Sequence, residues 1–473
     1  MLAIQKRLSN AFYLLLGLPS TAMGFALSVQ IAALSWILST RYGLKIEEVG
    51  LVWAAGPIAG ILGQVIFGIV SDNVWFWGGR RRPFILIGGV LASLSMLALP
   101  SLDIVGSALG IDGLLGVAIA VALSLDISIN VGFNPTRSII ADVTPEGESR
   151  TKGYTWMQTV SGTMGVMAYF ISVLLGNITL IYLGAIIALL LSVIPPFFIE
   201  EPRQLRPAAE AGGAARLDYG KIMRDIMPLW GFLMYAVFGI LSRLFDLSAI
   251  ALYIDIICLL AIVVLTLATL LTSEEGKTPV EAGRVGFRKV LAAHSFTWVG
   301  IQSMFIYMFS YIQYRLPTAS DEQMGAIVST SFLILNAVAA VLPAFALEPL
   351  TRRYGRVKVH QLSILSMAAG YAALWLLGSS PVSIYLCMAL LGIGWAATVS
   401  LAFAIMSQQI DQSRMGLYMG LFNLSVVLPQ LVASFSVGRY LQTADDKSVL
   451  FIICAVCLGI SGLAWSFVRE KTA

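Results

Sequence analysis

The chain has 473 residues, 58% of them hydrophobic and only 12% charged, with a mean hydropathy of +0.85. Soluble globular chains carry about 25% charged residues, so that class is excluded. Charge is confined to islands between apolar runs of about 20 residues, the length that crosses about 30 Å of hydrocarbon. The formal charge of +4 does not point to nucleic acid as a partner, because the basic residues sit at helix ends beside a lipid bilayer.

The opening stretch, Met1 to Ser20, has no small-residue cleavage site after a short apolar core, and reads as a retained first helix rather than a secretory signal. Spans are predicted near 11–40, 46–70, 83–102, 113–141, 151–175 and 178–199, then 226–244 and 249–272. Six more follow near 291–316, 323–350, 357–378, 382–408, 414–438 and 448–468. The pattern predicts an all-α integral membrane protein with an N-terminal six-helix bundle over 1–200 and a cytoplasmic linker over 201–225. Two additional transmembrane helices (226–273), a cytoplasmic loop (274–290) and a C-terminal six-helix bundle (291–473) complete it. Fourteen spans place both termini on one side. With that side cytoplasmic, most of the 30 Lys and Arg residues lie inside. Arg41, Lys45, Arg243, Arg315, Arg439 and Lys447 fall outside and Arg137 within a span, as the positive-inside bias requires. The additional pair carries few polar residues; Asp255 sits near the outer surface, and the pair is expected to pack beside the bundles.

The stretch Trp53 to Phe84 joins a glycine-studded apolar helix to Ser71-Asp72, Gly78-Gly79 and three arginines. A shorter echo, Glu348 to Lys358, follows a span in the second half. One basic turn recurring at matching places suggests two similar bundles, as in many secondary transporters. Asp72, Arg80 and Arg81, together with Asp142, Glu348, Arg352 and Arg353, are the candidate gating groups. Ion pairs among such residues at helix ends can hold one state and break during rocking.

The fourth span is the least lipid-like. Asp126, Asn130, Asn134 and Arg137 fall within about 80° on a helical wheel, a single polar stripe. A carboxylate at mid-bilayer costs about 2.5–3.5 kcal/mol even on forgiving scales, so it must face water or a partner. Asp126 and Arg137 lie roughly 16 Å apart along a straight axis and cannot pair directly. Pro135 removes a backbone hydrogen bond and is expected to kink the helix. A carboxyl alternately sealed from water and rehydrated takes up and releases a proton, which makes Asp126 the candidate coupling group. Arg137 is a substrate contact or a structural ion-pair partner.

Further amides lie within spans: Gln30, Gln64 and Gln158 in the first half; Gln302, one turn from Trp298, in the second; and Asn423 and Gln430 beside Pro429. Uncharged donors and acceptors with aromatic faces suit a polyol better than an ion, although single amides also serve as interhelical glue. These residues, with Asn130 and Arg137, form the candidate substrate set. Gly56, Gly60, Gly63 and Gly68 are close-packing positions. Cys258, Cys387, Cys454 and Cys457 all sit inside apolar spans and read as packing residues. His294 and His360 are placed at peripheral helix ends, and no metal site is expected. Without a nucleophile, base or metal cluster facing a common site, an enzyme is not expected either.

Several of these segments resemble the major facilitator superfamily, and within it the sucrose-transporter branch of the glycoside–pentoside–hexuronide:cation symporters. They are FALSVQ (25–30), the tryptophan–glycine–glutamine pattern from Trp53 to Asp72, and GRRRPF (79–84). The aspartate–asparagine–proline–arginine pattern over 125–142 and GLFNLSVVLPQ (420–430) complete the set. The resemblance implies two six-helix bundles around a central cavity and uptake of sucrose, maltose or a related glucoside with protons. It matches Asp126 to the family's coupling acid and Arg137 to its nearby arginine. Asn134 stands where the family has glycine, span seven lacks an acid near its outer end, and the additional pair is absent from a twelve-helix plan.

The expectation is a proton symporter of a disaccharide-like sugar in the plasma membrane (for a bacterium, the inner membrane). It works by alternating access as a monomer, with no cofactor beyond the coupling proton. The alternatives are a proton-coupled exporter of small lipophilic compounds, whose cavity would be greasier, and a sodium-coupled sugar symporter.

Overall fold

The computed structural model describes residues 3–145, 147–203, 219–245, 247–410 and 415–470. Among them every regular element is helical. A lone bridge between Phe76 and Gly79 closes a tight turn, in which Trp77 and Gly78 both have positive φ (49° and 73°). Glycine adopts that conformation freely, whereas Trp77 is an uncommon occupant. The turn delivers Arg80 to Arg82 to the start of the next helix.

Each predicted span has its helix. In the first half these are α1 (Asn10–Thr40), α2 (Ala55–Asn73), α3 (Arg82–Ala98), α4 (Leu114–Val143), α5 (Glu148–Leu175) and α6 (Asn177–Phe197). Next come α7 (Trp230–Leu244) and α8 (Ser248–Leu270). The remainder are α9 (Pro279–Arg315), α10 (Asp321–Leu342), α11 (Arg356–Leu377), α12 (Pro381–Gln409), α13 (Met415–Val432) and α14 (Val449–Trp465). Starts follow ordinary capping chemistry. Ser9 accepts the Phe12 N–H at 3.2 Å, and Thr278 with Glu281 forms a reciprocal capping box ahead of Pro279, satisfying donors that the first turn leaves orphaned. Some spans are interrupted. Ile46–Trp53 precedes α2, and a 3-10 turn at Leu99–Ser101 containing Pro100 separates α3 from Leu102–Leu109. Wider π-helical turns at Pro343–Leu347 and Ala433–Val437 follow α10 and α13. Across Pro135, α4 runs as one 30-residue helix.

By length and composition ten of the described helices can cross a membrane, or eleven if Tyr219–Asp225 and Met227–Arg243, bent by 60°, form one span. The count is coarser than the fourteen predicted. At 15 and 17 residues α7 and α14 are short, and α9 opens with charged turns. Apolar side chains also point outward: Leu259, Leu260 and Val264 of α8 are about 60% exposed. A helix apolar on all sides belongs in lipid, so the chain is a multi-pass membrane protein.

The chain divides into two compact units, residues 1–215 with 319–333 and residues 216–318 with 334–473. In the first, α1 packs on α4, α5 and α6; α3 lies on α4 and α6; and α2 lies on α4. Its core gathers Phe12, Leu16, Ile85, Ile139, Ile140, Met157 and Ile199. The first half of α10 belongs to this unit, where the Trp36 indole donates to the Asp321 carbonyl at 2.8 Å. In the second unit α9 packs on α13 and α14, and α11 on α12 and α14. The additional pair joins this unit, α7 against α13 and α8 against α9. Asp255 of α8 forms an ion pair with Arg439 at 3.4 Å, so more than headgroup water serves it. Residues 204–218, within the predicted linker 201–225, lie outside the described residues.

Candidate functional site

Asp126 is 4% exposed on α4. Among the described residues its carboxylate accepts one side-chain hydrogen bond, from the Gln30 amide of α1 at 3.2 Å, and Gln30 is itself 3% exposed. The α2 backbone passes beside the acid: a Cβ placed on Gly56 would lie 3.5 Å from both Asp126 carboxylate oxygens, in ordinary van der Waals contact. One turn along α4, the Asn130 amide donates to the Asp126 carbonyl at 2.8 Å. Among the described residues no Lys or Arg stands within ion-pair distance of Asp126.

Arg137, three turns on, is exposed. Its guanidinium lies 4.2 Å from the Phe133 ring centroid, a cation–π contact, and its carbonyl accepts the Tyr154 hydroxyl at 3.3 Å. It forms no carboxylate ion pair among the described residues. Gln158 is exposed on α5. The side chains of Gln64 and Asp72 lie outside the described residues. The first unit therefore joins Gln30, Asp126 and Asn130 into one connected group, with Arg137 farther along the same helix.

In the second unit the Gln430 side-chain amide donates to Oε1 of the Gln302 side chain at 3.0 Å, a pairing between α13 and α9. Asn423 is half-buried on α13. Trp298 belongs to a larger arrangement. Its indole N–H reaches His294 Nε2 at 2.9 Å, and the His294 ring stacks on Phe422 at 4.7 Å. Trp395 of α12 stands edge-on to Trp298 at 6.1 Å and to Phe305 at 5.6 Å. The Trp395 N–H is held by Asn336 at 3.2 Å. Neither histidine is peripheral. His294 is 2% and His360 0% exposed, because helix packing in this unit extends past the last apolar turn. The cysteines lie in helices, and the Cys454 thiol donates to the Gly300 carbonyl at 3.2 Å.

The basic turns are organised by acids from distant positions. Arg81, 5% exposed, bonds Asp142 at 3.1 Å and the Ser71 hydroxyl at 2.8 Å. Glu201 accepts the backbone N–H groups of Arg80, Arg81 and Arg82 at 2.9, 2.8 and 2.7 Å, capping the start of α3. Glu470 does the same for α11, accepting from Arg356 and Val357 at 2.7 and 3.2 Å. Gly355 has φ +86° there, and a Cβ on it would strike the Glu470 carboxylate. Glu348 pairs with Arg352 one helical turn away, both well exposed, while Arg353 lies 5.2 Å from the Tyr354 ring. Among the described residues, the pair Arg81–Asp142 is internal to one unit and Glu348–Arg352 to one helix. Sequence reasoning missed Glu201 and Glu470, His294, and Trp395 with Asn336.

Described residues that form only helices, ten or eleven of them long and apolar enough to cross a membrane, with a buried carboxylate among amides, have the makings of a membrane transporter. The family model described as Major Facilitator Superfamily matches residues 17–434, and the chain belongs to that family. Over most of its length it is similar to the sucrose transport protein SUC3 of Arabidopsis thaliana, at 22% identity across 93% of this chain and 84% of the relative. It is likewise similar to the sucrose transport protein SUT2 of Oryza sativa subsp. indica, at 23% identity across 93% and 90%. Both likenesses agree with the sucrose-transporter branch. A general alpha-glucoside permease of Schizosaccharomyces pombe is 29% identical over 30% of this chain and 28% of its own. Among solved structures, the nucleoside transporter NupG superposes with a TM-score of 0.64 at 12% identity, covering 97% of this chain and 100% of the other. The inward-open xylose transporter XylE from E. coli gives 0.61 at 15%, covering 98% and 97%. These relatives and neighbours are transporters rather than enzymes.

Proposed function

We propose that this chain imports a disaccharide or related glycoside together with a proton, by alternating access, with Asp126 as the coupling carboxyl. The observation that carries the reading is the setting of Asp126: buried, beside one amide donor, and without a cationic partner among the described residues. A buried carboxylate served so thinly is costly as an anion, whereas its protonated form keeps the Gln30 contact and the burial. Binding a proton from outside and losing it when water enters from the cytoplasm follows from that contrast. The substrate class rests on the named relatives, supported by amides and an aromatic wall that suit a polyol. Asn130, Arg137, Gln158, Trp298, Gln302, Asn423 and Gln430 are the proposed substrate contacts, and Gln30, bonded to Asp126, is proposed to serve the coupling acid rather than the sugar. Trp395 joins them as part of the wall that orients Trp298.

The same proposal takes all fourteen helices as spans, with both termini cytoplasmic, the chain acting as a monomer in the plasma membrane. The pair Arg81–Asp142 is the proposed lock on the cytoplasmic end of the first bundle. The energy suffices: about 2.3 kcal/mol per charge at 100 mV, set against 1.36 kcal/mol per decade, drives roughly 50-fold accumulation.

The test is uptake of a radiolabelled glucoside panel into energised vesicles, with and without a protonophore. Wild type is expected to accumulate sugar, to lose accumulation with the protonophore, and to be indifferent to choline replacing sodium. Asp126→Asn is expected to abolish uphill uptake while sugar exchange across de-energised membranes continues. If Asp126→Asn still accumulates sugar with unchanged pH dependence, coupling lies elsewhere.

A further inference from the structure

A cleft in the second unit lies apart from the residues proposed for transport. It measures about 220 Å³, and its walls converge from three places: Arg224 from the helix Tyr219–Asp225, Lys277 from the loop before α9, and Arg284 and Arg288 from the first turns of α9. The sequence pattern around the cleft is that of a boundary between water and hydrocarbon. The chain turns apolar at Met227 on one side and at Val290 on the other.

Four cations line the cleft against two acids, and both acids are already engaged. Arg284 binds both oxygens of Asp225, at 3.0 and 3.1 Å through Nε, and the Tyr418 hydroxyl donates to that carboxylate as well. Glu281 is drawn back to the Thr278 backbone N–H and hydroxyl at 3.2 and 2.9 Å in its capping box. Arg288 is half-buried; it donates Nε to the Arg284 carbonyl at 3.3 Å and meets no carboxylate within ion-pair distance among the described residues. Burial holds its guanidinium below the ordinary arginine range; Asp225 opposes this, and Arg284 and Arg224 add to it by repulsion. Arg284 is neutralised by Asp225, whereas Arg224, Lys277 and Arg288 line the same concavity without an ion-pair partner among the described residues, so an anion bound there offsets their mutual repulsion.

We propose that this cleft is a binding site for a phosphoryl group, cradled by Arg224, Arg288 and Lys277. Guanidinium groups meet phosphate oxygens through paired N–H bonds, a geometry that chloride cannot use. The location admits two sources of the same chemistry: the headgroup of an anionic phospholipid, as basic pockets at helix boundaries take, and a soluble phosphate. Bound there, the group would tie the helix Tyr219–Asp225 to the start of α9, across the junction where the additional helices join the second unit.

The full-length protein in neutral detergent is titrated with phosphatidylglycerol, phosphatidylcholine and inorganic phosphate, with thermal unfolding as the readout. Arg224→Gln and Arg288→Gln are compared with the charge-matched control Lys358→Gln. A saturable rise in Tm with phosphatidylglycerol and not phosphatidylcholine identifies a lipid headgroup, while the same rise with inorganic phosphate identifies the soluble source. In either case the half-saturating concentration is expected to rise about fivefold for each arginine removed and to stay unchanged in Lys358→Gln. Equal responses from all four proteins, or none from wild type, overturn the site. Because the Arg224 side chain is exposed, Arg224→Gln decides the matter even if Arg288→Gln does not fold.

Discussion

At the residue scale, the pair Gln30–Asp126 separates two roles that a buried carboxyl can play. A carboxyl that only glues helices together is insensitive to which half of a transport cycle is measured. A coupling carboxyl must exist as an anion for part of the cycle, and the Gln30 amide at 3.2 Å is then its side-chain donor. Gln30→Leu removes that donor while filling similar space. A hydrogen bond to a charged group contributes about 1.5–3 kcal/mol, so net uptake is expected to fall by roughly one to two decades. Exchange of labelled for unlabelled sugar, which the loaded and protonated carrier can carry out without discharging its proton, should change far less. Parallel loss of uptake and exchange would assign Gln30 to sugar binding or folding instead. Asp126 was legible in the sequence because a charge inside an apolar run has few explanations. Its partner was not, since Gln30, Gln64 and Gln158 look alike until packing decides which amide meets the acid. Trp395 was hidden for the opposite reason: one more aromatic in an apolar helix could equally face lipid.

At the scale of elements, the two halves repeat a device. An acid from the far end of each half reaches back to cap the helix that follows the basic turn: Glu201 at α3, 119–121 residues away, and Glu470 at α11, 113–114 residues away. The near-equal spacing is the structural form of the repeated basic turn noticed in the sequence. The arginine-rich islands drew attention, but the acids that organise them sit in commonplace stretches, and no local pattern marks a cap supplied from a hundred residues away. The caps differ in strength. Glu201 accepts three backbone donors in a partly buried setting, and Glu470 accepts two in an exposed one. Replacing a capping acceptor costs about 0.5–2 kcal/mol, and the anion also loses the favourable field at a helix N-terminus. Glu201→Ala is therefore expected near the top of that range and Glu470→Ala near the bottom, measured as shifts of thermal unfolding in detergent. Equal shifts, or a larger one for Glu470→Ala, would mean that the carboxylates are incidental to helix stability.

For the whole molecule, the open question is whether the additional pair α7–α8 crosses the membrane, because it sets the number of spans. At 23 residues α8 reaches about 34 Å, ample for the hydrocarbon. The shorter α7 reaches only about 22 Å over its 15 residues, or about 28 Å when the 3-10 turn Met227–Leu229 is added. A short span can thin the bilayer at modest cost, and Arg243 in the last turn of α7 is satisfied against protein, over the Phe435 ring at 4.3 Å and donating to the Gly239 carbonyl one turn back at 2.6 Å. Both helices should therefore cross, leaving Phe245 at their connection on the outer surface and Lys277 in the cytoplasm. Single cysteines at Asp112, Phe245 and Lys277, in a chain whose own cysteines are changed to serine, can be probed with a membrane-impermeant maleimide in intact cells. Asp112→Cys and Phe245→Cys are expected to label at once, and Lys277→Cys only after permeabilisation. Should Phe245→Cys stay silent until the cells are opened, the pair enters and leaves on the cytoplasmic side, twelve spans remain, and the positive-inside assignment of Arg243 must be reversed. The other loops would keep their sides in both cases, which is why the connection between α7 and α8 is the position that decides.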